Sequence, residues 1–229
     1  LYANGVDIRR RTGEPSMHDG RGRLNMRAAK SRNDAAPRHL TVRPLTAERW
    51  PDLEAVFRAE GCSVARGCWC MYYRRSGSRG PLPEGVTRAQ LNRAELKALA
   101  GSAEPPGLIG YHGSTPVGWV SLGPREAYAK LRRSPVMKAV DGEPVWSIIC
   151  FVVPSRYRGQ GIARALLDGA IAYAKKRGVT LLEAYPVDRD GRARDDSMWF
   201  GAKSMYDDAG FEEVARRKPG RPIVRLRFV

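Results

Sequence analysis

From Leu40 onward, apolar and polar positions follow two recurring periods. Residues 162–177 carry apolar side chains at every third or fourth position, which predicts an amphipathic helix. Further helices are predicted at 53–60, 86–100 and 199–209, because a glycine follows each of these segments. Runs that alternate or are continuously apolar predict the strands 40–45, 107–112, 116–122, 145–153, 179–185, 211–217 and 222–228. The order of these elements predicts an α/β domain with a mixed sheet.

Residues 1–39 differ from the rest of the chain in composition. They mix Arg, Gly, Asn, Ser and Asp with few bulky apolar side chains, so they bury too little surface to offset the entropy lost on ordering. We expect a basic, flexible extension at 1–39 and a single domain at 40–229. Neither a signal-like stretch in the first forty residues nor a run of roughly 18 apolar residues is present, which predicts a cytoplasmic protein without membrane attachment.

The formal net charge of +16 raises the question of nucleic-acid binding. Residues 1–39 contain nine Lys and Arg against four Asp and Glu, a net of +5, so +11 is spread over the remainder. No basic motif interleaved with aromatic residues accompanies this charge, and we expect no nucleic-acid partner. A basic surface would instead favour a polyanionic cofactor.

The cysteines indicate reduced thiols. Cys62, Cys68 and Cys70 lie within nine positions of one another, and they cannot all pair with the distant Cys150. A structural zinc site usually needs two separated pairs of ligands, which the three histidines do not complete, so we expect no metal.

The motif with the clearest chemistry lies between a predicted strand and the longest predicted helix. Residues 152–163 are Val-Val-Pro-Ser-Arg-Tyr-Arg-Gly-Gln-Gly-Ile-Ala. The two glycines let backbone approach a ligand closely, and the first N–H groups of the helix are unpaired at the positive end of its dipole. With Arg156, Arg158 and Arg164 nearby, this arrangement predicts a diphosphate site. The spacing excludes a Walker loop, and Arg164 stands where a dinucleotide motif requires its third glycine.

Two motifs together resemble one family. Arg156-x-x-Gly-x-Gly161 followed by Ile-Ala resembles motif A of the GNAT (GCN5-related N-acetyltransferase) superfamily, which binds the pyrophosphate of coenzyme A. Further along, Tyr206-Asp-Asp-Ala-Gly-Phe211 resembles motif B of that family. The resemblance implies the GNAT fold, a twisted mixed sheet of about seven strands with helices on both faces. It also implies acetyl-CoA as the acetyl donor, lying in a gap where the strand at 145–153 separates from the strand at 179–185.

The resemblance also implies roles for individual residues. Tyr206 is the expected proton donor to the departing coenzyme thiolate. The expected cofactor-binding residues are Phe151, Val152, Val153, Arg158, Gly159, Gln160, Gly161, Ile162, Ala163 and Arg164. Backbone groups of the first three are expected to pair with the pantetheine arm, and one N–H is expected to polarise the thioester carbonyl.

Substrate choice in this family depends on the first helices and their connecting loop. In this chain residues 63–83 are predicted to form a loop, and its aromatic side chains either seal the core or line an acceptor pocket. The substrate candidates are Trp69, Tyr72, Tyr73, Trp146 and Ser147.

The general base is where the sequence departs from a common family pattern. Many members carry a glutamate on the strand before motif A, whereas residues 146–151 contain no carboxylate. Glu183, Asp188 or a chain of waters are the alternatives for taking the amine proton. Cys150 has no histidine nearby in sequence, so a core thiol is expected there rather than a nucleophile.

These observations predict an N-acetyltransferase that moves acetyl from acetyl-CoA to a primary amine by direct attack in a ternary complex. A small-molecule acceptor is favoured, because an aromatic loop in front of the site indicates an enclosed pocket. Acetylation of a protein lysine or N-terminus, and a non-catalytic acetyl-CoA-binding sensor, are the alternatives. A homodimer is left open.

Overall fold

The computed structural model of the protein describes residues 40–75, 80–189 and 198–228. The predicted extension at 1–39 lies outside these residues, so its flexibility stays a prediction. The strands are β1 (Leu40–Pro44), β2 (Gly107–His112), β3 (Thr115–Pro124), β4 (Trp146–Val152), β5 (Leu181–Ala184), β6 (Glu212–Arg216) and β7 (Pro222–Arg227). The helices are α1 (Trp50–Arg58), α2 (Ser63–Cys68), α3 (Arg88–Ala100), α4 (Ala129–Arg133), α5 (Ile162–Lys176) and α6 (Lys203–Asp207).

The seven strands form one sheet in the order β1-β2-β3-β4-β5-β7-β6. Neighbouring strands run antiparallel, except for β4 and β5, which run parallel. This confirms the predicted mixed sheet of about seven strands. No helix within the described ranges has both the length and the apolar character that crossing a bilayer requires.

The parallel pair at the centre of the sheet is short. β4 and β5 are in register only where Trp146–Ile148 faces Leu182–Ala184. β4 continues to Val152 along its other neighbour, β3. The edge of β4 after Ile148 is therefore open on the β5 side, and a gap forms between the two strands.

The longest helix, α5, lies close to one face of the sheet because glycines leave room for it. Gly110 of β2 and Gly118 of β3 face each other in register, and a Cβ at either position would come within 2.9 Å of the Leu166 side chain. Gly169 of α5 lies over Val42 of β1, where a Cβ would come within 2.5 Å. This close approach fixes the beginning of α5 beside the end of β4.

The other face of the sheet carries α1 to α3. Successive residues of β2 separate the two layers, since Leu108 packs in the cluster around α5 and Ile109 in the cluster around α1. Trp119 is completely buried at the centre of the second cluster. The sheet is thus covered by helices on both faces, as the resemblance implied.

Several elements differ from the sequence prediction, among them α4, which was not predicted. Part of the predicted loop at 63–83 forms the short helix α2, which ends where Trp69 takes the left-handed backbone conformation with φ of 47°. The sequence does not indicate this turn, because neither position 69 nor position 70 is a glycine. The last helix begins later than predicted, because Ala202 instead forms a bridge with Val187 beside the sheet.

Candidate active site

A cavity of about 570 Å³ opens along the free edge of β4. One wall is β4 itself, from Ile149 to Val153, and the opposite wall is the α1–α2 turn with α2. Tyr72, Tyr73 and Trp199 line it as well. The cavity therefore follows β4 from Arg158 and Ala163, on either side of the glycine turn, to an aromatic surface at its other end.

The glycine turn at the first end is a row of unpaired amides. Gly159 and Gly161 have φ of 71° and 75°, and α5 begins directly afterwards. The first backbone bond of the helix runs from the Ala165 N–H to the Gly161 carbonyl, at 3.0 Å. Among the described residues, no acceptor faces the backbone N–H groups of residues 159–164. Free amides at the positive end of a fifteen-residue helix suit an anion, and the binding of a diphosphate there stays a prediction.

Arg158 connects this turn to the opposite wall of the cavity. Its Nε donates to the Val153 carbonyl at 3.0 Å, and its guanidinium also donates to the Gly61 carbonyl at 2.7 Å. Gly61 has φ of 78°, and a Cβ there would lie 2.8 Å from the Ser155 side chain. The contacts of Arg158 with these carbonyls hold the α1–α2 turn against the end of β4.

Arg164 and Gln160 direct their side chains elsewhere than the sequence predicted. Arg164 lies one helical turn before Asp168 and forms an ion pair with it at 3.1 Å, and it also reaches Asp208. The Gln160 side chain donates to the Arg156 carbonyl at 2.7 Å. The Arg164 guanidinium is thus engaged by carboxylates, and its predicted contact with the anion stays a prediction; the backbone N–H groups of both residues have no acceptor among the described residues.

The open edge of β4 offers fewer free groups than the resemblance implied. The Phe151 N–H donates to the Trp199 carbonyl at 2.6 Å. Amide groups alternate sides along a strand, so the Val152 N–H faces β3, where Val152 is in register with Trp119. In the described part of the chain, the Val153 N–H has no acceptor. Of the three predicted backbone contacts, Val153 alone is ready for a ligand, while Phe151 must first release Trp199.

The predicted substrate residues divide into two groups. Tyr72 and Tyr73 line the aromatic end of the cavity. Trp69 does not, because its ring is buried between Phe57 at 5.0 Å and Trp50 at 5.7 Å. Of the two roles expected for it, the structure places Trp69 in the one that seals the core.

Trp146 and Ser147 are likewise not brought to the cavity. Trp146 packs near Tyr173 of α5, with ring centroids 6.4 Å apart. Ser147 is fully buried, and its hydroxyl lies 3.2 Å from the Tyr185 hydroxyl. Both belong to the part of β4 that is paired with β5, and the cavity begins only after that pairing ends.

Tyr206 lies one layer behind the cavity wall. It is completely buried, and its hydroxyl donates to the Phe200 carbonyl at 2.9 Å. Its ring meets the ring of Phe151 edge to face, with centroids 6.5 Å apart. Burial holds the pKa of Tyr206 far above its usual range, so the phenol keeps its proton. Its role as proton donor stays a prediction.

The carboxylates considered as bases are engaged elsewhere. Glu183 is fully buried and accepts from Arg125 at 3.0 Å and from Arg225 at 2.9 Å. Asp188 forms an ion pair with Arg216 at 2.6 Å. Neither residue lines the cavity, and its described lining contains no carboxylate and no histidine.

Apart from Arg158, the titratable groups that line the cavity are thiols and phenols. All four cysteines are among them. Burial raises the pKa of Cys68 to about 11 and that of Tyr73 to about 12, so both groups are neutral at ordinary pH. No cluster of His, Cys, Asp and Glu in the described ranges is arranged to hold a metal ion.

Sequence analysis missed the contribution of Met198 and Trp199. Both line the cavity, and the Trp199 carbonyl occupies the Phe151 amide. Trp199 was assigned to the last helix. The one available signal was the aromatic pair Trp199–Phe200 just before motif B, and it does not reveal a backbone contact.

Comparison with known proteins identifies the family. Residues 70–195 match the sequence model of the Acetyltransferase (GNAT) family, and this range is more than half of the 229-residue chain. The chain belongs to the GNAT family. The matched range contains β4 and the glycine turn and ends before Tyr206. Membership confirms the family that the two motifs predicted.

Similar proteins include N-acetyltransferase 8B of Rattus norvegicus, which is 26% identical over 113 residues. The match covers 48% of this chain and 47% of that protein, so the chain spans about half the length of the curated relative that it matches. A solved structure of the PaiA N-acetyltransferase from Thermoplasma acidophilum in complex with coenzyme A aligns with a TM-score of 0.44 and 16% identity, over 83% of this chain and 99% of that one. Mosquito arylalkylamine N-acetyltransferase like 5b aligns with a TM-score of 0.49 and 12% identity, over 83% and 100%.

Proposed function

We propose that this chain is an acetyl-CoA-dependent N-acetyltransferase that acetylates the primary amine of a small molecule. The observation that carries the proposal is the continuity of one cavity. It runs from Arg158 and Ala163, which lie before and after the two glycines of the turn, past the free Val153 N–H, to an aromatic end at Tyr72 and Tyr73. A coenzyme thioester and an amine therefore have adjoining places along one edge of β4.

The donor half of the cavity suits coenzyme A. The pyrophosphate is held by the amides of the glycine turn, which are already oriented and carry the helix dipole. The pantetheine arm lies along β4 and accepts from the Val153 N–H, as an added strand would. The thioester then lies beside Cys150 and Phe151, where the Phe151 N–H polarises its carbonyl after the Trp199 carbonyl has moved away.

The acceptor half of the cavity favours an amine whose remaining part is apolar. Tyr72, Tyr73, Met198 and Trp199 supply aromatic and thioether surface to the cavity. The absence of carboxylates from its described lining argues against a polycationic acceptor, because such an amine needs acidic partners for each charge. A lysine on a protein surface would also leave much of this apolar surface without contact.

The chemistry requires a neutral amine that attacks the thioester carbonyl directly. The tetrahedral intermediate then expels the coenzyme thiolate, which must gain a proton. Tyr206 is the proposed donor, since its buried phenol is protonated and lies directly behind Phe151. Donation requires its hydroxyl to exchange the Phe200 carbonyl for the sulfur.

The experiment that tests this function measures thiol release from acetyl-CoA in the presence of single amines. The panel contains arylalkylamines, diamines and a lysine peptide. We expect thiol release to depend on an arylalkylamine and the acetylated amine to be found by mass spectrometry. Turnover of the peptide alone would replace the small-molecule proposal with protein acetylation.

A non-catalytic acetyl-CoA sensor is the second candidate function. It is favoured by two contacts, the Phe151 N–H bound to Trp199 and the Tyr206 hydroxyl bound to Phe200, since both occupy groups that catalysis needs. Calorimetric binding of acetyl-CoA without thiol release on any amine or peptide would support the sensor and reject the enzyme.

A further inference from the structure

Two cations, Arg221 and Lys130, lie near the aromatic end of the cavity, and neither forms an ion pair with a described carboxylate. Arg221 stands at the beginning of β7 with its guanidinium carbon 4.6 Å from the centre of the Phe200 ring. Phe200 meets the ring of Tyr73 edge to face at 5.5 Å, and Tyr73 lines the cavity. The Phe200 ring therefore lies between Arg221 and Tyr73, which lines the acceptor end of the cavity.

No carboxylate in the described part of the chain lies within ion-pair distance of Arg221, although the side chain is half-buried. The contrast with Arg125 and Arg225 is direct, because both of those guanidiniums are ion-paired with Glu183. Burial lowers the pKa of Arg221, and the positive charge of neighbouring Arg189 lowers it further. Within the described ranges, no anion lies between these two cations, and a bound anion would make the arrangement more favourable.

Two further groups extend this cationic region toward the cavity. The Tyr73 hydroxyl has no hydrogen-bond partner among the described residues, and it is close enough to Arg221 for the guanidinium charge to act on it. Lys130 places its ammonium 3.3 Å from the centre of the Tyr72 ring, at the same end of the cavity. The acceptor end therefore combines an apolar floor with a phenol donor and positive charge.

We infer that the acceptor amine carries a carboxylate on its apolar body, and that Tyr73 and Arg221 bind this carboxylate at the end of the cavity away from the coenzyme. A guanidinium and a phenol O–H are a suitable donor pair for one carboxylate. The inference rests on the proposed function, because it names the class of acceptor for the same site. Tyr73 and Arg221 would act as specificity-determining residues, and neither would take part in the proton transfers.

The test compares three amines that differ in one group: 4-(2-aminoethyl)benzoate, its neutral isostere 4-(2-aminoethyl)benzamide, and 2-phenylethylamine. The ratio of kcat/KM for the benzoate to that for the benzamide is measured at one ionic strength. We expect the benzoate to be preferred by about 10- to 100-fold, mostly through KM, since hydrogen bonds to a charged group are worth that much. Equal values for the benzoate and the benzamide would overturn the inference.

Variants locate the preference on the named residues. Arg221→Gln should lower the benzoate-to-benzamide ratio by about 10- to 100-fold, and Tyr73→Phe by about 3- to 10-fold. Arg221→Lys should keep part of the preference, because the charge remains while the two-pronged donor is lost. Lys218→Gln is the matched control. It removes the same charge from the same β6–β7 turn and should leave the ratio unchanged. An equal fall in Lys218→Gln would show a general charge effect and contradict the inference.

The same anion could instead belong to a phosphate of coenzyme A. In that case Arg221→Gln would weaken coenzyme A binding in calorimetry and leave the acceptor ratio unchanged, which rejects the inference. Complete absence of turnover with every amine would count against the proposed function. The acceptor site is then tested by the calorimetric affinity of the coenzyme-bound protein for the acetylated benzoate and the acetylated benzamide. Equal affinity there would also overturn the inference.

Discussion

Gly161 is the residue on which coenzyme binding most depends. Its φ of 75° turns the backbone so that the free amides of 159–164 precede α5. A valine would strain the backbone by about 1–2 kcal/mol and place a branched side chain beside the pyrophosphate. We expect Gly161→Val to weaken coenzyme A binding by at least about 100-fold in calorimetry, because several charge-assisted hydrogen bonds depend on this turn.

Gly178 provides the matched control for this substitution. It has φ of 72° after the opposite end of α5, and a Cβ there would meet nothing within 4 Å. Gly178→Val should therefore lose similar stability in thermal unfolding while binding the coenzyme normally. Retained affinity in Gly161→Val would show that the phosphate site has been misplaced.

Tyr206 allows stability and catalysis to be separated. Tyr206→Phe removes the hydroxyl that satisfies the buried Phe200 carbonyl, which should lower the free energy of unfolding by about 1–3 kcal/mol. If the phenol is the proton donor, kcat should also fall by about 10- to 1000-fold while coenzyme A affinity stays nearly constant. Urea unfolding, calorimetry and steady-state kinetics on the same sample check these three quantities. A destabilised variant with unchanged kcat would leave Tyr206 a purely structural role.

The elements show what the sequence could and could not predict. The glycine turn was predictable, because positive φ and free helix amides follow from Gly159 and Gly161 whatever surrounds them. The part of β4 that lines the cavity could not be predicted. Both sides of this strand are covered, so its sequence does not alternate and cannot reveal that Trp146 and Ser147 point away from the cavity.

The turn after α2 was unpredictable for a different reason. Trp69 and Cys70 adopt φ of 47° and 50° without glycine or asparagine at either position. The stacking of Trp69 on Phe57 and Trp50 holds this conformation, and that is a tertiary contact. Local propensity therefore predicts a loop here, and packing decides which aromatic residues face the core.

Glu183 joins several elements through one buried carboxylate. It accepts from Arg125 before α4 and from Arg225 of β7, and both arginines have side chains only 8–9% exposed. Glu183→Ala would leave buried Arg125 without its carboxylate and Arg225 with Asp141 alone, so we expect a loss of about 3–5 kcal/mol in urea unfolding. Glu143→Ala removes an exposed pair with Arg227 and should cost less than about 1 kcal/mol.

The isosteric variant Glu183→Gln addresses catalysis by the same carboxylate. Because Glu183 does not line the cavity, kcat per folded molecule should change by less than about three-fold. A large loss of kcat in Glu183→Gln at unchanged stability would restore Glu183 as the general base.

Across the described residues, most charged side chains lie outside the cavity. Glu183 and Asp188 are occupied in ion pairs outside the cavity, whereas the described cavity lining consists of thiols, phenols and apolar groups, with Arg158 as its one charged member. This neutral lining arises from segments far apart in sequence, since Cys62, Cys68 and Cys70 meet Cys150 only through the fold. The residue that takes the proton from the amine is therefore absent from the described lining, and the acceptor itself should set the pH dependence.

The pH dependence of kcat/KM tests this directly. Only the neutral amine attacks, and its fraction rises about ten-fold per pH unit until the pH reaches the amine pKa, near 10 for an alkylamine. Cys68 and Tyr73, with pKa values of about 11 and about 12, stay protonated throughout this range and contribute no inflection. We therefore expect log kcat/KM to rise with unit slope from pH 6 to 9. An acceptor whose pKa is about 2 units lower should move the inflection down by the same amount. An inflection fixed near pH 6 to 7 for both acceptors would instead require a carboxylate or imidazole base in the protein, and the proton would then leave through a group that this cavity lining does not contain.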